Sequence, residues 1–145
     1  MPSVNDVRIG LLGLGTVGAG VVKILQTRRA MLEERTGKKL EQLAKSVKAL
    51  VVTLGARGSL IMTNGRRHEI PSVQAQAVVD PTGCGDAYRA GLLYGIAAGL
   101  DWPVTGRIAS LLGALKIARR GAQNHQFTRD EIASRYKESF GSSPW

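Results

Sequence analysis

The sequence has little cysteine and few aromatic residues. Of its 145 residues, one is a cysteine, Cys84, and 5% are aromatic. A single cysteine excludes a disulfide within the chain and is typical of proteins in a reducing compartment. No run approaches the ~18 apolar residues that a membrane-spanning helix needs. No signal peptide opens the chain, and we therefore expect a cytoplasmic protein with no membrane partner.

The sequence also lacks any long block of like charge, although its net charge is +9. Basic residues are spread along the chain in short doublets such as Arg66-Arg67 and Arg119-Arg120. There is no arginine-rich arm, and the aromatic residues are too few to form a platform for base stacking. We therefore expect a solvated basic surface and no specific nucleic-acid partner. The hydrophobic content of 43% excludes an intrinsically disordered chain.

The hydrophobic pattern changes its period along the chain. Apolar runs predict buried strands at 7–12 and 49–54, and shorter runs predict antiparallel strands at 59–63, 68–70 and 73–79. A helical period predicts helices at 17–34, 40–47, 84–99, 104–119 and 129–139. This order of elements indicates an α/β fold in one domain covering residues 1–145.

Two local signals sharpen this pattern. Asn64-Gly65 predicts a tight hairpin between two strands, because a type I′ turn needs a positive φ at both of its central residues. Thr128 followed by Glu131 predicts a capping box at the start of the last helix.

A first glycine-rich loop lies between a predicted strand and a predicted helix. Gly13, Gly15 and Gly18 form a G-x-G-x-x-G pattern, in which glycines allow a tight turn and the close approach of a pyrophosphate. A dinucleotide site also needs an acidic residue at the end of the next strand. Glu33 and Glu34 have the spacing but fall on a predicted helix. A strand-to-helix turn without a ligand therefore remains the alternative.

The residues around this loop resemble a dehydrogenase. Residues 7–37, VRIGLLGLGTVGAGVVKILQTRRAMLEERTG, are similar to the opening of homoserine dehydrogenases. The resemblance implies the first strand and helix of an NAD(P)-binding Rossmann domain, with Gly13, Gly15 and Gly18 at the cofactor. It ends near residues 38–40 and carries over no residue of hydride transfer.

A second glycine-rich loop, Asp80-Pro81-Thr82-Gly83-Cys84-Gly85-Asp86, precedes a predicted helix. Small residues at a helix N-terminus can present backbone N–H groups to an anion. A carboxylate such as Asp86 can accept the proton of an attacking hydroxyl in phosphoryl transfer. Cys84 in this position could have a lowered pKa, but we interpret it as a small spacer.

This second loop resembles the C-terminal signature of ribokinase-type sugar and nucleoside kinases. Residues 53–58 (TLGARG) resemble an ATP-contacting turn of that family, and residues 108–125 resemble its closing helix and adenine-side loop. The resemblance covers about residues 41–145 and is nearest to bacterial adenosine-kinase-like members.

The kinase resemblance implies a role for each matching residue. Asp86 would be the general base, and an oxyanion nest would be formed by Gly83, Cys84 and Gly85. Gly55 and Gly58 would lie along ATP, with Ser110 and Asn124 near its base or ribose. Asp80 and Thr82 would help to hold a monovalent cation, as in family members that bind one.

The two resemblances together predict an engineered or recombined chimera joined near residues 38–41, with residues 1–40 dehydrogenase-like and residues 41–145 kinase-like, and a natural fusion as the alternative. The fold implied is a three-layer sandwich, Rossmann-like and ribokinase-like, with a mixed and mostly parallel sheet, a small β meander and helices on both faces. The expected chain folds without efficient catalysis, because the acceptor-binding N-terminal portion of the kinase family is replaced.

Such a chain would require no cofactor and would at most bind a nucleotide, phosphate or sulfate, with ATP or ADP favoured over NAD(P). One alternative is a weak or truncated ATP-dependent sugar or nucleoside kinase with Asp86 as its base. A second alternative is an NAD(P)-binding Rossmann-type module. An uncovered sheet edge or apolar face would favour a homo-oligomer.

Overall fold

A computed structural model describes residues 9–13, as backbone, and residues 47–145. In this part of the chain, a mixed sheet contains strands β1 (Ile9–Gly13), β2 (Ala49–Thr53), β3 (Ser59–Thr63) and β4 (Arg66–Ile70), in that order. β1 is parallel to β2, with Ile9 opposite Ala49, and the other neighbours are antiparallel. The first four side chains of β2 are all buried, and this burial accounts for its continuous run of apolar residues.

The hairpin between β3 and β4 confirms the prediction from Asn64-Gly65. Asn64 has a φ of 48° and Gly65 a φ of 72°, and Thr63 pairs with Arg66 on either side of them. Two consecutive positive φ angles give the turn the twist of the flanking strands.

Three helices follow the sheet in the described residues: α1 (Cys84–Ala97), α2 (Trp102–Ile117) and α3 (Arg129–Phe140). They confirm the three helices predicted after residue 83 to within two residues at each end. The Asp101 side chain caps α2 by accepting from the Val104 N–H at 2.8 Å. Thr128 and Glu131 form the predicted capping box at the start of α3. Within residues 9–13 and 47–145, we find no helix with the length and apolarity to cross a bilayer.

The core lies between one face of the sheet and the first two helices. Val51, Ile61 and Ile70 from the strands pack with Tyr88, Leu92 and Ala109 from α1 and α2. A second cluster joins α1 and α2 to α3 through buried residues that include Ile108 and Tyr136. The α/β fold class is therefore confirmed.

Two details differ from the predictions. The strand predicted at 73–79 is absent from the described structure, because this backbone pairs with α2 instead of with a strand. Val73 N–H donates to the Ser110 hydroxyl at 3.1 Å, and Val79 N–H donates to the Ile117 carbonyl at 2.9 Å. Within the described sheet, one of three strand pairings is parallel, whereas a mostly parallel sheet was predicted. The helices predicted at 17–34 and 40–47 lie outside the described residues.

Candidate functional site

The 80–86 loop enters α1 through a left-handed glycine. Gly83 is the N-cap residue, with a φ of 80°. A Cβ atom added there would lie 2.9 Å from the carbonyl oxygen of Ala122. Both observations require glycine at this position. The close approach also brings the start of α1 against the segment that follows α2.

Asp80 organises the loop through its side chain. One carboxylate oxygen accepts from the Thr82 N–H at 2.9 Å, and the other accepts from the Gly121 N–H at 2.8 Å. These hydrogen bonds, with those from Thr82 the largest influence, lower the pKa of Asp80 to about 2. The nearby Lys116 charge acts in the same direction. Asp80 therefore fixes its own loop and ties it to the segment after α2.

Two N–H groups at the start of α1 have no acceptor in the described part of the chain. The Cys84 N–H donates to the Pro81 carbonyl at 3.2 Å. The N–H groups of Asp86 and Ala87 both donate to the Gly83 carbonyl, at 3.1 and 2.9 Å. Those of Gly83 and Gly85 donate to no oxygen among the described residues. They lie at the positive end of the dipole of a 14-residue helix, which is a favourable environment for an anion.

Asp86 lies in the first turn of the same helix. Its side chain is 77% exposed, and one carboxylate oxygen lies 2.6 Å from a guanidinium nitrogen of Arg89. An exposed carboxylate beside unpaired N–H groups can reach a hydroxyl whose attack on a phosphoryl group it would assist. The predicted base and the predicted nest therefore share one helical turn.

Cys84 does not have the lowered pKa that its position at a helix N-terminus suggested. Its thiol is partly buried, and this desolvation raises its pKa above the ordinary value, although the Lys116 charge opposes the effect. The Asp80 carbonyl lies 3.9 Å from the thiol sulfur. The raised pKa argues against the alternative of a reactive thiolate, and the small spacer stays our prediction.

Of the residues predicted to contact ATP, two already have roles within the fold. A Cβ atom at Gly58, where φ is 87°, would lie 2.0 Å from the carbonyl oxygen of Ile70. The Ser110 hydroxyl donates to the Pro71 carbonyl at 2.9 Å and accepts from Val73 N–H. Gly55, with a φ of 62°, and Asn124 are exposed, so both remain accessible to a ligand.

The first glycine-rich loop is described at one of its three glycines. Gly13 is the last residue of β1 and pairs with Thr53 at the end of β2. The carboxyl ends of β1 and β2 therefore lie at the same end of the sheet, where ligands of α/β folds usually bind. Gly15 and Gly18 lie outside the described residues, so the NAD(P) site stays a prediction.

Lys116 is a residue of this region that our sequence analysis missed. It lies in the last turn of α2 with its side chain fully buried. Its ammonium group donates to the Asp80 carbonyl at 2.8 Å and to the Arg119 carbonyl at 3.1 Å. The spacing from Ala109 and Leu112 places Lys116 on the buried side of α2 and is the signal that could have revealed it.

The donors around Asp80 argue against the metal site predicted at Asp80 and Thr82. A monovalent cation needs oxygen ligands with free lone pairs and is repelled by a neighbouring positive charge. Both carboxylate oxygens and the carbonyl of Asp80 already accept hydrogen bonds, the last from an ammonium group. Each of these oxygens keeps a second lone pair, but the Lys116 ammonium group would repel a metal ion at the Asp80 carbonyl, and for this reason we expect no metal ion there. In the described part of the chain, no three His, Cys, Asp or Glu side chains form a metal-binding group.

Comparison with known proteins shows a match to the pfkB family of carbohydrate kinases over residues 24–129. A nucleoside kinase of Methanocaldococcus jannaschii is 35% identical over 99 residues, which are 68% of this chain and 33% of the relative. A ribokinase of Lactococcus lactis is 32% identical over 98 residues, 68% of this chain and 32% of the relative. The chain thus spans about a third of the length of these curated relatives.

Solved structures agree with the sequence matches. The nucleoside kinase of Burkholderia thailandensis in complex with inosine has a TM-score of 0.75 and 32% identity. That alignment covers 97% of this chain and 59% of the kinase. The nucleoside kinase of Methanocaldococcus jannaschii gives a TM-score of 0.74 at 27% identity, covering 90% of this chain and 40% of that one.

The matches support the kinase-like region and give no support to a dehydrogenase-like segment. The family match begins at residue 24, within the segment that we assigned to a dehydrogenase, and it continues across the predicted joint at 38–41. The glycine pattern at Gly13, Gly15 and Gly18 suggested that segment, but backbone turns of this kind occur in many α/β proteins.

Proposed function

Because the chain belongs to the pfkB family of carbohydrate kinases, we propose that it carries the phosphoryl-transfer and ATP-binding part of a nucleoside or sugar kinase. The observation that carries this proposal is the first turn of α1. There the unpaired N–H groups of Gly83 and Gly85 and the exposed carboxylate of Asp86 lie within four consecutive residues.

Gly85 supports a bound phosphoryl group at this turn. A Cβ atom at Gly85 would meet no heavy atom within 4 Å, so packing within the described fold does not require glycine there. A glycine in a helix costs about 0.5–1 kcal/mol relative to alanine. A phosphoryl group that contacts the Gly85 N–H would explain this glycine, because a side chain would obstruct its approach.

The reaction would proceed by transfer of one proton and one phosphoryl group. The acceptor hydroxyl would give its proton to Asp86 while its oxygen forms a bond to the γ-phosphorus of ATP. The bond from that phosphorus to the bridging oxygen would break, and ADP would leave. The N–H groups of Gly83 and Gly85 would stabilise the negative charge of the transferring group. The ion pair with Arg89 is exposed, so Asp86 can exchange this partner for the hydroxyl at little cost.

The relatives favour a nucleoside as the acceptor. The Burkholderia thailandensis enzyme is a nucleoside kinase with structures in complex with inosine and in complex with ADP-inosine. ATP would be the phosphate donor, with Gly55 and Asn124 as its accessible contacts. This proposal takes the place of a folded chimera without chemistry, because the family match crosses the predicted joint.

The test is phosphoryl transfer by the purified chain from ATP, with magnesium chloride, to inosine, adenosine and ribose. Asp86→Asn should lower kcat about 10²- to 10⁴-fold, the usual contribution of a general base, and should leave the ATP dissociation constant within about twofold. Asp130→Asn is the matched control, since Asp130 is also an exposed acid in the first turn of a helix.

Two outcomes would contradict the proposal. Full turnover by Asp86→Asn would remove the base from the mechanism. A folded wild-type chain that neither binds ATP nor phosphorylates any of the three acceptors would support the earlier hypothesis of a folded chain without catalytic activity.

A further inference from the structure

Lys116 is the least expected charge in the described structure. Lysine is almost never fully buried without a partner, because its ammonium group loses its hydration. Here the side chain has no exposed surface, and its ammonium group donates to two carbonyl oxygens, those of Asp80 and Arg119. One acceptor lies in the 80–86 loop, 36 residues before Lys116, and the other follows α2, so this single charge joins two segments that are distant in the sequence.

Further contacts connect the site of the Lys116 ammonium group to the first turn of α1, where we propose that a phosphoryl group binds. The Gly121 N–H donates to the Asp80 carboxylate at 2.8 Å. Gly83 lies so close to Ala122 that an added Cβ atom would come within 2.9 Å of the Ala122 carbonyl oxygen. The position of the Gly83 N–H therefore depends on how firmly the 80–86 loop is held against the segment that begins at Arg119.

We propose that Lys116 is an internal cation, which takes the place of a bound monovalent metal ion and holds the 80–86 loop against the residues that follow α2. An ammonium group bound to carbonyl oxygens provides the same single positive charge as potassium, and it is covalently attached. The consequence for catalysis rests on the proposed function: Lys116 is a positioning residue for the N–H groups of Gly83 and Gly85. The chain should then need no added potassium or sodium.

The first test needs no activity. The unfolding temperature of the wild-type chain is measured in potassium chloride and in tetramethylammonium chloride at equal ionic strength, since tetramethylammonium is too large for a site between two carbonyl groups. Because Lys116 already supplies the charge, the two temperatures should agree within about 1 °C. Stabilisation by several degrees in potassium alone would overturn the proposal.

The second test removes the charge. Lys116→Met keeps the aliphatic stem but leaves the two carbonyl groups without a donor. This variant should unfold at a lower temperature in tetramethylammonium and recover in part in potassium or ammonium, because a small cation can then reach the Asp80 and Arg119 carbonyls. Lys137→Met is the matched control at an exposed position of α3 and should show no response to the cation. A folded Lys116→Met without any such response would also overturn the proposal.

The third test measures catalysis. Lys116→Met should lose at least about tenfold in kcat in tetramethylammonium, the equivalent of one charged hydrogen bond, and regain part of it in potassium. A merely structural lysine would give no rescue by a cation. If the wild-type chain neither binds ATP nor transfers phosphate, the proposed function fails, while the unfolding temperatures still decide the role of Lys116. If Lys116→Met does not fold, the comparison of the wild-type chain in two salts decides alone.

Discussion

The hydroxyl groups of Ser59 and Tyr88 lie 2.6 Å apart in the core and share a hydrogen bond between β3 and α1. Ser59 is 3% exposed and Tyr88 is 8% exposed, so water does not offer either group a ready alternative partner. This bond fixes the position of α1 on the sheet. Tyr88 is two residues after Asp86 on the same helix, so the bond also supports the proposed catalytic turn.

We expect Tyr88→Phe to lower the free energy of unfolding by about 1–3 kcal/mol, because the buried Ser59 hydroxyl loses its partner. Ser59→Ala should have a similar effect for the converse reason. The double variant should cost clearly less than the sum of the two, since it leaves neither hydroxyl unpaired. Urea denaturation of the four proteins measures this, and strictly additive effects would show that the bond contributes nothing.

Glycines with a positive φ provide a second prediction. Gly58→Ala places a Cβ atom 2.0 Å from the Ile70 carbonyl, and the backbone there cannot move without disturbing β4. We expect a loss of about 2–5 kcal/mol, from overpacking and from the left-handed conformation together. Gly65→Ala is the matched control: its φ is 72°, but the added atom would meet nothing within 4 Å.

The control should therefore cost only about 1–2 kcal/mol, the price of the left-handed conformation. Equal losses in thermal unfolding of the two variants would mean that the contact with Ile70 is easily relieved. ATP affinity measured on Gly58→Ala, if it folds, would separate this packing role from the predicted contact with ATP.

The sequence was sufficient to predict local structure where interactions within a few residues determine it. Asn64-Gly65 needed only its own backbone preferences, and Thr128 with Glu131 needed only the first turn of α3. The strand predicted at 73–79 failed because apolar residues do not specify a partner. Its Val73 N–H is satisfied by Ser110, a side chain 37 positions away.

The candidate site shows the same division. Asp86 and its glycines are contiguous in the sequence, so the loop could be recognised before its structure was known. The spacing of Lys116 from Ala109 and Leu112 could have indicated its burial but not its role, because that role depends on the Asp80 carbonyl, which the packing of α2 brings within 2.8 Å. The pattern of Gly13, Gly15 and Gly18 is just as local in the sequence, but it is not specific, because a short turn pattern is shared among α/β proteins of different function.

Protonation of Asp80 in acid should weaken the hydrogen bonds that its carboxylate accepts and that hold the 80–86 loop. Its pKa of about 2 lies below the ordinary value of 3.8, so the unfolded chain takes up this proton before the folded chain does. The stabilisation is complete above the ordinary pKa and is lost as the pH falls toward 2. We expect the stability difference between the wild-type chain and Asp80→Asn to shrink between about pH 5 and pH 2.

Urea denaturation at each pH measures that difference, and the subtraction cancels the titration of the other carboxylates. Ser139→Ala, a change of an uncharged residue at an exposed position of α3, should differ from the wild-type chain by a nearly constant amount, because it removes no titrating group. A pH-independent gap between the wild-type chain and Asp80→Asn would show that the hydrogen bonds from Thr82 and Gly121 do not distinguish the two protonation states.

Two helical glycines should respond to alanine with opposite signs. A Cβ atom at Gly91 would lie 2.5 Å from the Cα of Ala109, where α1 and α2 touch backbone to backbone, so the helices must separate. We expect Gly91→Ala to lower the free energy of unfolding by about 1–3 kcal/mol despite the better helix propensity of alanine.

At Gly113 the nearest atom to an added Cβ atom would be the Cys84 carbonyl oxygen at 3.8 Å, an ordinary contact. Gly113→Ala should therefore stabilise the chain by about 0.5–1 kcal/mol. Chemical denaturation of both variants decides: a stabilised Gly91→Ala would mean that the two helices can separate freely, and a destabilised Gly113→Ala would mean that α2 lies closer to the 80–86 loop than its backbone indicates.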